Sequence, residues 1–229
     1  MKSKIKAWLF LILLSIIWGS SFLLIKIALM DSQGMERLSP EILAALRLSL
    51  AFIFLSPLLF YYLKQISIKD LPYLLISGFL GNGIPAFLFA YAELHLSSAV
   101  TGMLNSLVPV FTILIAVLFF SFKWKIKHFV GIATGIFGTL LIVGQTNNDG
   151  GLSLPFTPVL MVLLGSLCYA VSLNVIKYKL KHLHPNLITS VSFLFVGIPS
   201  LIYILCTDFL GSVFAGEVAK DGVLAVLIL

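Results

Sequence analysis

Charges are scarce in this chain, so the few that fall inside apolar stretches carry information. Arg47 lies within the run Pro40 to Leu63, Lys26 near the end of the run Ala7 to Leu29, and Glu93 at the end of the run Leu71 to Leu94. An ionised side chain at the bilayer centre costs about 2.5–3.5 kcal/mol even on a mild insertion scale, so a retained one marks a solute path or a buried ion pair. By helical rise Arg47 lies about 6 Å outward of the middle of its run. It is read as facing a helix bundle, pairing with Glu93 or contacting a carboxylate-bearing substrate. A structural ion pair is the simpler alternative. Lys26 is close enough to its run's outer end to snorkel.

Two amides sit where the sequence loosens a helix. Asn82 lies within Gly78-Phe79-Leu80-Gly81-Asn82-Gly83-Ile84-Pro85. Irregular backbone of this kind is tolerated at membrane depth only against protein or a water-filled cavity. Asn105 stands four residues before Pro109, whose ring removes the hydrogen bond to the Asn105 carbonyl. Trp18 and Tyr169 are mid-run aromatics, whereas aromatics ordinarily collect at the membrane interfaces. Trp18, Arg47, Asn82, Asn105 and Tyr169 are therefore the expected substrate-contacting set, with Asn174 a weaker candidate. Interhelical hydrogen bonding is the plain alternative for the amides, and packing for the aromatics. His95, His128, His182 and His184 lie at run ends without metal spacing, and Cys168 and Cys206 form no disulfide framework. Neither a zinc-protease helix, a serine elbow nor a phosphate-binding loop is present, so no catalytic site, metal or cofactor is expected.

The elements that must position these residues follow from composition. Hydrophobic residues make up 60% of the 229 and charged residues 10%, against about 25% charged in a soluble domain. Mean hydropathy is +1.11. So few charges cannot cover a globular surface, which predicts an all-α, polytopic membrane bundle facing lipid. Seven runs reach the roughly 20 residues a crossing needs: Ala7 to Leu29, Pro40 to Leu63, Leu71 to Leu94, Ser97 to Phe120, His128 to Gly144, Phe156 to Tyr178 and Pro185 to Cys206. An eighth begins at Gly222 and stops at Leu229 after eight residues, so the chain reads as cut within a span. The formal charge of +6 sits in short loops rather than a nucleic-acid patch. Lys2, Lys4, Lys6, Lys64, Lys69, Lys123, Lys125, Lys127, Lys177, Lys179 and Lys181 share one side, leaving Arg37 and Lys220 in the loops opposite. The positive-inside rule then makes the N-terminus cytoplasmic, in the cell membrane.

The sixth run echoes the first. Ser15, Trp18, Ser21, Ile25 and Lys26 align without gaps to Ser166, Tyr169, Ser172, Ile176 and Lys177, each set leading to a Pro-initiated run. Five spans between the two starts invert the second unit, an arrangement that in transporters places substrate near the midplane. Residues 1–145 are thus one five-helix repeat and 146–229 the start of a second, incomplete one.

Trp18-Gly19-Ser20-Ser21-Phe22, Lys26, Arg47, Ser98-Ala99-Val100-Thr101-Gly102, Leu107-Val108-Pro109-Val110-Phe111 and the glycine-spaced Gly131 to Gly138 resemble an EamA-type repeat of the drug/metabolite transporter superfamily. Lys123-Trp124-Lys125 departs from the acidic-basic pair usual there, and Ser192 stands where the second unit would repeat Arg47. The resemblance implies a ten-span secondary transporter exporting small metabolites such as amino acids by alternating access. A membrane receptor or scaffold, or a truncated form that does not transport, is the alternative. Expected partners are the substrate and the bilayer, with no nucleic acid and homodimerisation left open.

Overall fold

The computed structural model describes residues 2–31, 33–62, 65–122, 126, 130–138, 155–214 and 220–229. These residues are almost entirely helical: α1 (Lys2–Leu29), α2 (Pro40–Tyr62), α3 (Leu71–Gly78), α4 (Ile84–His95), α5 (Ser98–Asn105), α6 (Val108–Phe119), α7 (130–138), α8 (Phe156–Lys179), α9 (Pro185–Cys206), α10 (Phe209–Phe214) and α11 (Lys220–Ile228). In hydrocarbon every backbone N–H and C=O must be satisfied within the chain, and helices achieve this segment by segment. Six helical stretches among the described residues are long and apolar enough to cross a membrane: α1, α2, Leu71–His95, Ser98–Phe119, α8 and α9. The protein is a multi-pass membrane helix bundle. Of the expected span His128 to Gly144, the described part is helical; the remainder lies outside the described residues. The linker after Cys206 carries α10, whose Phe209 is buried.

The helices begin and break where the sequence provides for it. Pro40 and Pro185 open α2 and α9, a first-turn position whose missing N–H has no helical partner to lose. The Ser97 hydroxyl accepts from the Val100 amide at the start of α5. Pro57 inside α2 frees the Ile53 carbonyl, and the Ser56 hydroxyl supplies the missing donor at 2.7 Å.

The core is not shared evenly. Half of the most apolar stretch of α9 is buried against 6% of that of α1. The most extensive helix pair is α2 with α9, followed by α4 with α8. Small residues permit this approach: a Cβ on Gly197 of α9 would fall 3.1 Å from the Leu48 carbonyl oxygen of α2.

Candidate functional site

Both sequence-marked weak points become real interruptions. Between α3 and α4, Phe79–Gly83 form a single π-helical turn, with the Ile84 amide donating to the Phe79 carbonyl. Pro85 cannot donate to Gly81 in an α-helical pattern, so the wider turn re-satisfies the backbone. The glycines serve contact as well as flexibility. A Cβ on Gly78 would lie 2.5 Å from the Ser192 carbonyl oxygen of α9, and Gly81 faces the Ser172 side chain of α8. The turn is thus wedged between two helices, and it presents Asn82. Between α5 and α6, Ser106 and Leu107 form a turn ahead of Pro109.

Asn82 lines a cavity of about 330 Å³. Arg47, Leu48, Leu50, Ala51 and Phe54 of α2 form one wall; Ala86 of α4, Tyr169 of α8 and Phe193 of α9 face them. Val226, Leu227 and Leu229 of α11 and its end complete the lining. Most of the lining residues are apolar, with three polar side chains converging among them, the usual make-up of a small-molecule site. Tyr169 is held by stacking on Phe89, with ring centroids 5.7 Å apart.

Arg47 is the one charged side chain in the lining, with Tyr169 and Glu93 its electrostatic neighbours. Among the described residues no carboxylate lies within 4.0 Å of its guanidinium, and no hydrogen bond is made by it. The Arg47–Glu93 pairing that the sequence suggested is therefore not formed. Glu93 is fully buried one layer away. Its Oε2 accepts from the Ser98 hydroxyl at 3.4 Å, and its Oε1 has no partner among the described residues. Lys26 reaches the end of the neighbouring span. Its ammonium donates to the carbonyls of Glu93, Leu94 (3.4 Å) and Leu96 (3.3 Å), capping the C-terminal end of α4, where a cation also meets the negative pole of the helix.

The structure therefore brings together Arg47, Asn82 and Tyr169 from three different spans. It leaves the other two expected residues outside the cavity. Asn105 accepts a hydrogen bond from the Ser166 hydroxyl at 3.2 Å, joining α5 to α8. Trp18 is 64% exposed on the outer surface of α1. Asn174 is a buried cross-link, its amide donating to the carbonyls of Thr112 (3.0 Å) and Ala170 (2.8 Å). Phe193 and the α11 residues were missed from sequence. A signal for Phe193 existed: it follows Ser192, the position aligned to Arg47, just as cavity-lining Leu48 follows Arg47.

The model of the EamA-like transporter family matches residues 5–144. The chain belongs to this family. Among its relatives, an uncharacterized transporter of Archaeoglobus fulgidus is 28% identical over 137 residues, covering 60% of this chain and 47% of that protein. The uncharacterized transporter YoaV of Bacillus subtilis is 26% identical over 211 residues, covering 86% of this chain and 70% of its own length. A protein of Streptantibioticus cattleyicolor named a probable terminal-alkyne amino-acid exporter is 28% identical over 132 residues, covering 58% of this chain and 43% of that protein. The chain thus spans about half the length of the first of these relatives. Within the family match lie Trp18, Arg47, Asn82 and Asn105; Tyr169 and Phe193 lie beyond it.

Proposed function

We propose that the protein is a secondary transporter, working as an exporter of small carboxylate-bearing metabolites, amino acids among them, across the cytoplasmic membrane. One observation carries this reading: an unpaired guanidinium faces a cavity lined chiefly by apolar residues at membrane depth, flanked by an amide and a phenol. Arg47 would take the carboxylate in a two-pronged hydrogen bond, and Phe54, Phe193 and Leu48 would cover the apolar part. Export of an amino acid is the activity named for the Streptantibioticus relative and supports the substrate class and direction here. The N-terminus is placed in the cytoplasm by the lysine distribution alone.

The inverted repeat gives alternating access its physical basis. If spans one, two and three correspond to six, seven and eight, then every contact should have an exchanged partner. The packing supports this. Span six (α8) lies against span three (α3, the π turn and α4), and span one (α1) lies correspondingly against α11. Span seven (α9) touches span three, and span two (α2) touches α11. Spans two and seven, which exchange with each other, form the central pair. On this reading residues 1–145 and 146–229 belong to two inverted units that rock about the α2–α9 contact.

The test is flux in proteoliposomes loaded with labelled amino acids and their carboxyl-amidated analogues. Acids should move and amides should not. Arg47→Gln should lower apparent affinity at least tenfold, since losing a hydrogen bond to a charged group costs about 1.5–3 kcal/mol. Arg47→Lys should retain part of it. Normal flux by a correctly inserted Arg47→Gln protein would remove the carboxylate site.

A further inference from the structure

Among the described residues the two inverted units are joined at opposite faces of the bundle by an ion pair and by a histidine–carboxylate contact, and the two are equivalent to one another. Arg37 follows α1 in the link to α2; its guanidinium lies 3.6 Å from the Asp221 carboxylate at the start of α11. His182 follows α8 in the link to α9; its Nε2 lies 3.2 Å from the Asp70 carboxylate at the start of α3. Asp70 and Asp221 are each preceded by lysine and are 151 positions apart, the same offset as Ser15 and Ser166. Arg37 and His182 are 145 apart, the offset of Pro40 and Pro185. The exchange that maps one unit on the other therefore maps one ion contact on the other. Since α2 runs from the Arg37 link to the Asp70 link, the two lie at its opposite ends.

Behind each contact lies a hydrophobic cluster, and the clusters are equivalent too. Leu29, Leu43 and Ile204 are buried in the cluster behind Arg37, and Leu180, Ile188 and Leu59 in the cluster behind Asp70. These residues pair at the same offsets of 151 and 145. So do Ala225 in the first cluster and Leu74 in the second. Gly222, next to Asp221, lets α11 close onto α1: a Cβ there would lie 3.2 Å from the Ala28 carbonyl oxygen. The cavity around Arg47 is lined by residues between these two seals, including Val226 of the first cluster.

We propose that Arg37–Asp221 and Asp70–His182, each with its apolar cluster, are the two gates of the solute path, one per membrane face. The assignment rests on the transporter reading, because two-sided closure serves alternating access. Each ion contact is a latch over an apolar plug. Each pair joins one covered side chain, Arg37 or Asp70, to one that is exposed, Asp221 or His182, and pairs near the surface hold a closed form by a factor of up to about five, weak enough for a solute to shift the balance.

Side-specific labelling tests this without requiring a known substrate. In a background with Cys168→Ala and Cys206→Ala, the cavity-lining Ala51→Cys is labelled by a membrane-impermeant maleimide in sealed right-side-out and inverted vesicles. Asp221→Asn should raise the labelling rate about two- to fivefold from the face that carries the α1–α2 link only. Asp70→Asn should do so from the opposite face only. The exchange Arg37→Asp with Asp221→Arg should return the rate to that of the parent, and His182→Gln, which keeps a donor, should lie between parent and Asp70→Asn. Equal increases from both faces, or none from either in well-inserted protein, would overturn the gates. Side-specific labelling in vesicles that show no amino-acid flux would uphold the gates and count against the substrate reading alone.

Discussion

Helices α1 and α8 carry the same spacing of Ser, aromatic, Ser, Ile and Lys, yet they live in different surroundings. α8 is held on several sides by both halves of span three, by α5 and by α6. α1 touches α4, α5 and α11 chiefly near its second end, and residues 5–20 are exposed all round. The equivalent side chains diverge accordingly. Tyr169 stacks on Phe89 in the cavity wall, whereas Trp18 is on the surface. Ser166 reaches across to Asn105, whereas Ser15 bonds back to the Leu11 carbonyl of its own helix. Lys26 caps α4, whereas Lys177 lies 5.5 Å over the Phe122 ring. A repeated pattern thus specifies which face of a helix is available for contact, while the neighbours decide what that face does.

The largest expected break in this comparison comes at Ala170 and its equivalent Gly19. Ala170 is fully buried, while a Cβ on Gly19 meets nothing within 4 Å. Ala170→Leu should cost about 1–3 kcal/mol through overpacking. Gly19→Leu should be neutral or stabilise by up to about 1 kcal/mol by removing a helix-interior glycine. Thermal unfolding in detergent reads both. Equal losses would mean that α1 is as closely covered in solution as α8.

A smaller effect separates the two serines. Ser166→Ala removes the hydroxyl that donates to Asn105, and interhelical hydrogen bonds in membranes are worth about 0.6 kcal/mol on average. Ser15→Ala removes only a bond to its own helix and should leave the unfolding midpoint unchanged. A loss at Ser15 matching that at Ser166 would place an interhelical partner on α1 as well.

Much of this was legible in the sequence, for reasons tied to single residues. Pro85 and Pro109 each remove a backbone hydrogen bond, and both helix interruptions fall just before them, whereas Pro57 and Pro199 lie inside continuous helices, so proline marked the places and packing decided the outcome. Arg47 was marked by the cost of a charge in hydrocarbon, and it does face the cavity. Asn105 and Asn174 were less legible, because a polar group at membrane depth can be satisfied equally by a solute or by a neighbouring helix. Only packing distinguishes these, and here it supplies Ser166 and Thr112. Glu93 lies a layer behind the cavity because its partner, Ser98, comes from the next helix. That register is invisible in spacing.

The smallest effect concerns the links that follow the two helices. The offset between the units falls from 151 before the link to 145 after it, so the α1–α2 link holds six residues that the α8–α9 link lacks. The described ones, Asp31 and Gln33 to Glu36, form a self-contained turn. The Asp31 carboxylate accepts from the amides of Gln33 and Met35, each at 2.8 Å, and Met30 bridges to Glu36. The Met35 hydrogen bond is the main cause that holds the Asp31 carboxyl below its ordinary value of 3.8, with the Gln33 amide and the Arg37 charge adding to it against slight burial. A lowered value in the folded chain means that the turn is fully stabilised above the ordinary carboxylate range and loses that stabilisation as pH falls through the folded value. An NMR titration of the Asp31 carboxyl should therefore show a midpoint below 3.8, and the Gln33 and Met35 amides should lose protection over the same range. Because the turn carries its own hydrogen bonds, Asp31→Ala should abolish both signals while leaving the global unfolding midpoint unmoved. A global shift would show that the six extra residues brace α1 against α2, and that the two units differ in their framework as well as in their neighbours.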